Sequence, residues 1–523
     1  MNSDFRIAGF PLSAIALLLL TTAVSLLWSH FRLVAGDEFY EIWTDSLSNI
    51  RQVINIQRTC PISLDPMTFH AIAHETIRVF GANAFAIRLP SLLSVILMQI
   101  CLFIFVRRVA TERAAVFALG FPVLTCVLDY SIEGRPYALM LGMFGLAMVS
   151  WQAAIRSETG RTISLITLAI AIVFALNTHY FAILLLAPLC VAELFRGFQR
   201  RRFDIPVATS IGVGAAGIVF VIPFMKAAHE FRSPYGSGLL TPKAIIWDYL
   251  WTLANHNTKI IDRGTFSIVV ILVCVSLWAY LCRLREKTIA QVKPDEVFLL
   301  SLAALPLFGY ILAFFTSPVL EPRFVVGLVI GITALTAIGL FSLCRSDHDE
   351  RVILSVLFVA IASSGIAHIY LERKAADKTR LSMALPPEIK ALIMTSPSRL
   401  LYIQDIGTFG AAAFYEPDPE VRSRIVLVYS TDQEMKWIHK NVISLTAIHM
   451  RSFTNFNIIP YESLTAQPGD HIFVDFGETD KPIGWNWLGM AFASAHAEVK
   501  PLGSAFCGSC EVTGEVVSVR FLP

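Results

Sequence analysis

The chain has 523 residues, of which 55% are hydrophobic and 16% are charged. A soluble domain ordinarily carries about 25% charged residues, so this composition excludes an ordinary soluble protein and predicts a chain that crosses a membrane several times. The formal net charge of +2 provides no general attraction to nucleic acid, and no nucleic-acid partner is expected.

Eleven apolar segments are the predicted membrane spans, and several approach the roughly 17–25 residues that cross the hydrocarbon layer. The first is too long for a removed signal peptide and lacks a small-residue cleavage site, so we expect it to stay as an anchor. The segments cover residues 8–28, 89–106, 114–128, 138–155, 163–176, 181–195, 205–222, 266–281, 297–315, 324–343 and 352–370.

Basic residues predict the orientation of these spans, because Lys and Arg concentrate in cytoplasmic connections. With a cytoplasmic N-terminus, the short exterior connections at 177–180 and 316–323 carry only Arg323. An odd number of spans then places the C-terminal segment in the periplasm or an equivalent exterior space. The basic residues of the inside connections are Arg107, Arg108, Arg113, Arg156, Arg161, Arg196, Arg200, Arg201, Arg202, Arg283, Arg285, Lys287, Lys293, Arg345 and Arg351.

A change of composition near residue 371 predicts two domains. The first, 1–370, is a transmembrane domain that includes an exterior loop at 30–88, in which 66–80 is predicted as a helix lying along the membrane. A further exterior segment, 223–265, is rich in aromatic residues and is predicted to dip into the membrane interface. The second domain, 371–523, is predicted as a small exterior α/β domain. Its strand-like runs at 400–404, 425–429 and 471–476 alternate with helix-like stretches at 407–415, 432–442 and 485–496.

Cys507 and Cys510 are the cysteine pair of this tail. In an oxidising space they suit a local disulfide, and a metal knuckle or a redox pair are the alternatives. Cys60 has no obvious partner. The other six cysteines fall in or beside the apolar segments, where small packing residues are expected.

Asp37 and Glu38 follow the first apolar segment. Acids beside lipid are costly, so they are functional candidates by default. They could serve as a general base or a metal ligand at the outer mouth of the bundle, or as an interfacial acid pair that caps the next helix.

Asp65 and His70 lie further along the same loop. Asp65-Pro66 is also an ordinary helix start, in which Asp caps the helix and Pro takes the first helical position. His70 and His74 are one helical turn apart, a spacing compatible with a metal site and also with two histidines that face the interface.

Glu133, Arg135 and Tyr137 crowd the short turn before the segment 138–155. An arginine fork fits a phosphate better than other side chains do. The alternative, a surface Glu–Arg pair, would contribute little.

These motifs resemble the polyprenyl-phosphate-sugar-dependent glycosyltransferases of the GT-C fold, and more narrowly the bacterial relatives of the protein O-mannosyltransferases and of the lipid A aminoarabinose transferase. The matching parts are the early acid Asp37-Glu38, the run Arg88-Leu-Pro-Ser91 and the turn Tyr130–Leu139. The family's Pro-Pro-Leu-Tyr-Tyr segment is replaced by Pro66-Met-Thr-Phe-His70, which leaves the roles of Asp65 and His70 open. The likeness covers 35–200, and Glu321-Pro-Arg323-Phe is similar to a later family segment.

The resemblance implies an all-α polytopic membrane bundle of about eleven helices, with the small α/β tail. It implies an inner-membrane enzyme that transfers a hexose or pentose, with inversion, from a polyprenyl-phosphate donor on the periplasmic face. Mannose, galacturonic acid and aminoarabinose are all compatible sugars, and a glycolipid such as lipopolysaccharide, another glycan or a protein is a compatible acceptor.

Site roles follow from the same resemblance. Asp37, with Glu38 beside it, is the expected base, and Arg135 and Arg323 would stabilise the leaving phosphate. The other candidates are Glu133 to orient Arg135 or hold the acceptor, Tyr137 and Asp65 for the donor, and His179 as a ligand of the divalent metal that some relatives use. The competing classes are a transporter or lipid flippase, which the missing internal repeat disfavours, and a catalytically silent scaffold.

Overall fold

The structure, a computed structural model, describes residues 6–522 except 8, 157–159, 232–240, 254–260, 316–319, 384, 397, 468, 476–485 and 507–513. Cys507 and Cys510 lie outside the described residues. Its contacts divide the chain into two compact units. The first comprises Met1–Phe31, Asp65–Ile222 and Ser237–Glu372, and the second comprises Arg32–Leu64, Pro223–Gly236 and Arg373–Pro523.

The first unit is a helical bundle around one large apolar core. A small antiparallel pair of strands, Arg6–Ile7 and Phe10–Pro11, precedes it. Its α-helices are Leu12–Phe31, Met67–Phe80, Ala84–Val109, Glu112–Gly120, Val127–Ser131, Tyr137–Ile155, Arg161–Leu176, Leu186–Arg200, Ile205–Ala216, Pro242–Leu253, Ile261–Arg285, Pro294–Ala303, Leu305–Phe315, Leu328–Phe341 and Asp347–Met383, the last of which runs past the boundary at Glu372.

Six helices are long and apolar enough to cross a membrane, and two pairs joined at a short break raise the number to eight, within the described residues. Each of the eleven predicted segments is at least partly helical. Three are too short or broken to satisfy the length criterion. One of them, 114–128, is interrupted because Pro122 cannot continue the helix that ends at Gly120. The multi-pass bundle is confirmed, whereas the number eleven stays a prediction.

Small residues bring two central helices of the bundle close together. A Cβ placed on Gly142 would lie 2.9 Å from the backbone oxygen of Ser94, and one on Gly145 would lie 3.0 Å from Cys101 Cβ. Close approach of this kind is typical of packed membrane helices. It holds the start of helix Tyr137–Ile155 firmly beside helix Ala84–Val109.

The second unit contains a six-stranded mixed sheet. In spatial order its strands are Asn457–Pro460, Ile425–Tyr429, Leu401–Ile403, Asp470–Asp475, Gly514–Arg520 and Glu498–Phe506. The first four run parallel and the last two pair antiparallel. The central strands are buried on both faces, which explains their continuous apolar runs. The predicted α/β tail is therefore confirmed.

The helices of the second unit come from the tail and from parts of the two predicted exterior loops 30–88 and 223–265. The predicted helix at 432–442 is wrong in extent, because Thr431–Trp437 ends and a new helix starts at Val442, where the Glu434 carboxylate accepts the backbone N–H groups of Ile443 and Ser444. The helices are Glu38–Asp45, Ile50–Thr59, Ile222–Ala228, Pro387–Met394, Ile406–Tyr415, Pro419–Ser423, Thr431–Trp437, Val442–Phe453, Glu462–Thr465 and Leu488–Ser494.

Candidate active site

Asp65 contacts two of the predicted site residues in the first unit. Its Oδ2 lies 3.5 Å from Arg135 Nη2, and its Oδ1 lies 3.7 Å from His179 Nε2. All three side chains are less than a tenth exposed. The three interhelical connections that carry Asp65, Arg135 and His179, which are distant in sequence, therefore meet at one end of the bundle.

The position of Asp65 follows from the start of the helix Met67–Phe80. The backbone N–H of Thr68, in the first turn, donates to the carbonyl of Asn177 at 2.8 Å. This bond ties the helix start to the connection that carries His179. The helix begins one residue later than predicted, with Pro66 in the N-cap position.

The turn that carries Arg135 rests on the helix Ala84–Val109. Ser91 Oγ donates to the carbonyl of Arg135 at 3.1 Å, and Gly134 lies directly against Ile87. Arg88 Nη1 donates to the carbonyl of Ser29 at 3.0 Å. Contacts from the helix that contains Arg88–Ser91 therefore hold the Tyr130–Leu139 turn, and with it Arg135, in place.

We expect Gly134→Ala to destabilise this turn. A Cβ at this position would lie 2.6 Å from Ile87 Cδ1, and overpacking of this kind costs roughly 1–3 kcal/mol. The midpoint of thermal unfolding in detergent should fall. The double variant Gly134→Ala/Ile87→Ala should recover most of the loss, and a single variant as stable as the parent would contradict the steric account.

The tautomer of His179 is fixed by its neighbours. Nδ1 accepts the backbone N–H of Phe181 at 3.3 Å, so the neutral ring carries its proton on Nε2, the atom that faces Asp65. The ring lies 5.2 Å from the Tyr137 ring, centroid to centroid. Its burial lowers the pKa of His179 to about 4, Asp65 opposes the shift, and Arg135 and Arg323 reinforce it.

This pKa predicts a pH dependence of stability. The folded protein keeps His179 neutral, whereas the unfolded chain protonates near pH 6.5. Neutral His179 therefore contributes to the free energy of unfolding above pH 6.5, and this contribution is lost as the pH falls through about 4. Thermal unfolding between pH 7 and 4 should show a smaller loss for His179→Gln than for the parent. The exposed His348→Gln is the control, and equal losses in all three proteins would contradict the assignment.

Arg323 belongs to the same group of charges. Its Nη2 lies 2.7 Å from Glu321 Oε2, and its charge acts on both His179 and Tyr137. The neighbouring Phe324 stacks on Phe181 at 4.0 Å between centroids. This stack joins the Arg323 segment to the His179 connection, and it was not predicted from the sequence.

The charges around His179 suit an anion better than a metal cation. Both guanidinium groups act on the ring, against one carboxylate. Its Nδ1 lone pair already accepts a backbone N–H, and its Nε2 carries the proton. His179 therefore does not fit the role of metal ligand, and the divalent metal stays a prediction from the sequence.

Asp37, Glu38 and Glu133 are the remaining candidates. Asp37 and Glu38 belong to the second unit; Asp37 is exposed at the N-cap of helix Glu38–Asp45 without a capping side-chain bond, and Glu38 is buried. The carbonyl of Glu133 accepts the backbone N–H of Arg135 at 2.8 Å. Their catalytic roles stay predictions.

Comparison with known proteins agrees with this architecture. Residues 65–226 match the family model described as dolichyl-phosphate-mannose-protein mannosyltransferase. The crystal structure of ArnT from Cupriavidus metallidurans bound to undecaprenyl phosphate superposes with a TM-score of 0.58 at 13% identity, over 96% of this chain and 97% of that chain. The apo state of the same protein gives 0.56 at 13% identity, over 97% and 98%. Among curated proteins, none matches this chain in sequence.

The matched region contains Asp65, Arg135, Tyr137 and His179, whereas Arg323 lies beyond it. The matched part of this chain includes residues of both units. The chain therefore has the fold of ArnT, the GT-C fold predicted from its sequence, and residues 65–226 carry the pattern of the dolichyl-phosphate-mannose-protein mannosyltransferase family.

Proposed function

We propose that the protein is a glycosyltransferase of the bacterial inner membrane that uses a polyprenyl-phosphate-linked sugar and acts on the periplasmic face. The observation that carries the proposal is the buried cluster of Asp65, Arg135 and His179, on whose imidazole the charge of the partly exposed Arg323 also acts. A protein of the same fold binds undecaprenyl phosphate. A lipid phosphate is an anion that two arginines in connections at the ends of membrane-spanning helices would meet.

The two arginines would act on the leaving group. An acceptor hydroxyl oxygen attacks the anomeric carbon, and the bond from that carbon to the phosphate oxygen breaks with inversion. The electron pair stays on the phosphate, and positive charge placed where negative charge develops lowers the barrier. Arg135, which is buried, and Arg323 would supply that charge.

Asp65 acts in this proposal as a positioning residue. Its two carboxylate oxygens face Arg135 and His179, so it orients the guanidinium and keeps the neutral imidazole in one tautomer. Tyr137, whose ring lies 5.9 Å from the Arg135 guanidinium carbon, limits the movement of that group and is the candidate hydrogen-bond partner of the donor. Glu133 would orient Arg135 or hold the acceptor.

The proton of the acceptor hydroxyl must leave as the new bond forms. Asp37 is the proposed base, with Glu38 as its neighbour. The acceptor is a glycolipid such as lipid A or lipopolysaccharide, another glycan or a protein, and the sugar is a hexose or a pentose.

Binding of undecaprenyl phosphate to the purified protein in lipid nanodiscs tests the donor class. We expect saturable binding that Arg135→Ala and Arg323→Ala each weaken about tenfold or more, because charge-assisted hydrogen bonds to the phosphate are lost. Arg113→Ala is the control, since Arg113 pairs with Asp347 and Glu350 instead. Absence of binding, or equal weakening by all three changes, would contradict the proposal.

A further inference from the structure

Asp248 is a buried acid that the proposed mechanism does not use. It lies in the helix Pro242–Leu253 of the first unit and is fully buried. Neither of its carboxylate oxygens has a hydrogen-bond partner in the part of the chain that the structure describes. Asp248 was not predicted as a site residue from the sequence, because 223–265 was predicted as an interfacial loop.

The helix that carries Asp248 adjoins the Arg323 segment. It packs against Pro322–Phe324, and Glu321, the ion-pair partner of Arg323, is close enough for its charge to act on Asp248. One turn later, Thr252 Oγ1 is also buried without a hydrogen-bond partner among the described residues. Asp248 and Thr252 share a helix face because their spacing is four residues.

The orientation of this helix is fixed by other contacts. Tyr249 OH donates to the carbonyl of Ala303 at 2.7 Å, and the carbonyl of Thr252 accepts the backbone N–H of Cys126 at 3.3 Å. The ring of Trp251 lies 6.1 Å from that of Tyr130. These contacts hold in place the helix face that carries Asp248.

A buried carboxyl group without a partner destabilises the folded protein. A bound ligand that supplies hydrogen-bond donors would remove this cost. The negative charge of Glu321 disfavours a second anion beside Asp248, whereas neutral hydroxyl groups can donate to its oxygens. Adjacent sugar hydroxyls suit the two carboxylate oxygens, with Thr252 as a further hydrogen-bonding group.

We propose that Asp248 binds hydroxyl groups of the donor's sugar, next to the place where Arg323 meets the phosphate. This inference rests on the proposed function, and it makes Asp248 a specificity-determining residue for that reaction. It predicts an unusual combination, in which removal of a buried carboxyl group leaves the empty protein at least as stable and weakens recognition of the sugar.

The test compares Asp248→Asn and Asp248→Leu with the parent, all in nanodiscs. Affinities are measured for undecaprenyl phosphate and for the same lipid linked to mannose, galacturonic acid or aminoarabinose. We expect at least one sugar-linked lipid to bind the parent about tenfold more tightly than the sugar-free lipid. Both variants should lose this gain in affinity from the sugar and retain the affinity for undecaprenyl phosphate.

The midpoint of thermal unfolding without ligand distinguishes a binding role from a structural role. If Asp248 stabilised the fold, its replacement would lower the midpoint. Asp248→Leu should keep or raise the unfolding midpoint. Asp295 is the matched control, because it is buried but accepts from Gln152 Nε2 at 2.8 Å and lies 3.5 Å from Arg156 Nη2. Asp295→Leu should lower the midpoint clearly.

Several results would overturn the inference. One is an unfolding midpoint of Asp248→Leu that falls as far as that of Asp295→Leu. Another is a gain in affinity from the linked sugar that is absent from the parent or is kept in both variants. Stabilisation of the parent but not of Asp248→Asn by Mg²⁺ or Ca²⁺ would assign the site to a cation instead. Failure of every lipid to bind would contradict the proposed function itself. If undecaprenyl phosphate binds but the linked sugar adds no affinity, the proposed function stands and only the role of Asp248 is contradicted.

Discussion

Replacement of Asp37 by Asn is expected to abolish sugar transfer while the protein stays folded and inserted in the membrane. The amide cannot accept the proton of the acceptor hydroxyl, and loss of a general base typically lowers a rate by about 100- to 10,000-fold. Transfer should be measured as the turnover number of the purified enzyme at saturating donor. The apparent donor affinity should change little, because Asp37 is not assigned to the donor phosphate.

The control for this prediction is Asp432→Asn, a change of the same type at an exposed acid in the first turn of helix Thr431–Trp437. It should leave transfer unchanged. Glu38→Gln distinguishes the two neighbouring acids, because Glu38 is buried and Asp37 is exposed. Full activity of Asp37→Asn would remove Asp37 from the mechanism.

Removal of Arg135 or Arg323 is the second change with a large expected effect. Each alanine variant should lower kcat/KM by about 100- to 1,000-fold, as is typical when one group that stabilises developing negative charge is removed. Arg135→Lys should have a smaller effect that falls mainly on the donor KM, because lysine keeps the charge but loses the planar fork that can bind two phosphate oxygens.

Asp65→Asn tests whether the carboxylate acts through Arg135. The expected result is a loss between that of Arg135→Lys and that of Arg135→Ala, since the guanidinium remains but loses the carboxylate 3.5 Å from its Nη2. Steady-state kinetics with varied donor concentration will separate KM from kcat. An Arg135→Lys enzyme with unchanged donor KM would identify Arg135 as part of a structural ion pair.

Much of the site was predictable because its residues occur in short, recognisable runs. Arg88–Ser91 and Tyr130–Leu139 were both identified from the sequence. Their joint role was not, because it depends on the packing of Gly134 on Ile87 and on the Ser91–Arg135 bond. Such contacts between distant segments have no signature in either segment alone.

Asp65 illustrates the opposite case. The residues after it depart from the family pattern, so its role stayed open at the sequence level, and an ordinary helix start explained it equally well. The structure gives it two buried partners from two other connections. The helix start alone could not show which side chains would face it.

The fold was predicted in outline, with errors where local signals conflict. The apolar run 114–128 predicted one span, yet Pro122 interrupts it. In the tail, the strands Asn457–Pro460, Glu498–Phe506 and Gly514–Arg520 were missed. The first is short, Pro501 and Gly503 interrupt the second, and polar residues interrupt the apolar run of the third. Sheet pairing, which is a tertiary property, stabilises these segments as strands.

The most direct test of the central claim is mass spectrometry of envelope glycolipids and glycoproteins from a strain that lacks this gene. The strain is complemented with the parent gene or with Asp37→Asn. We expect one envelope component to lose a single sugar residue in this strain and only the parent gene to restore it. Identical profiles in all strains, or full restoration by Asp37→Asn, would contradict the account.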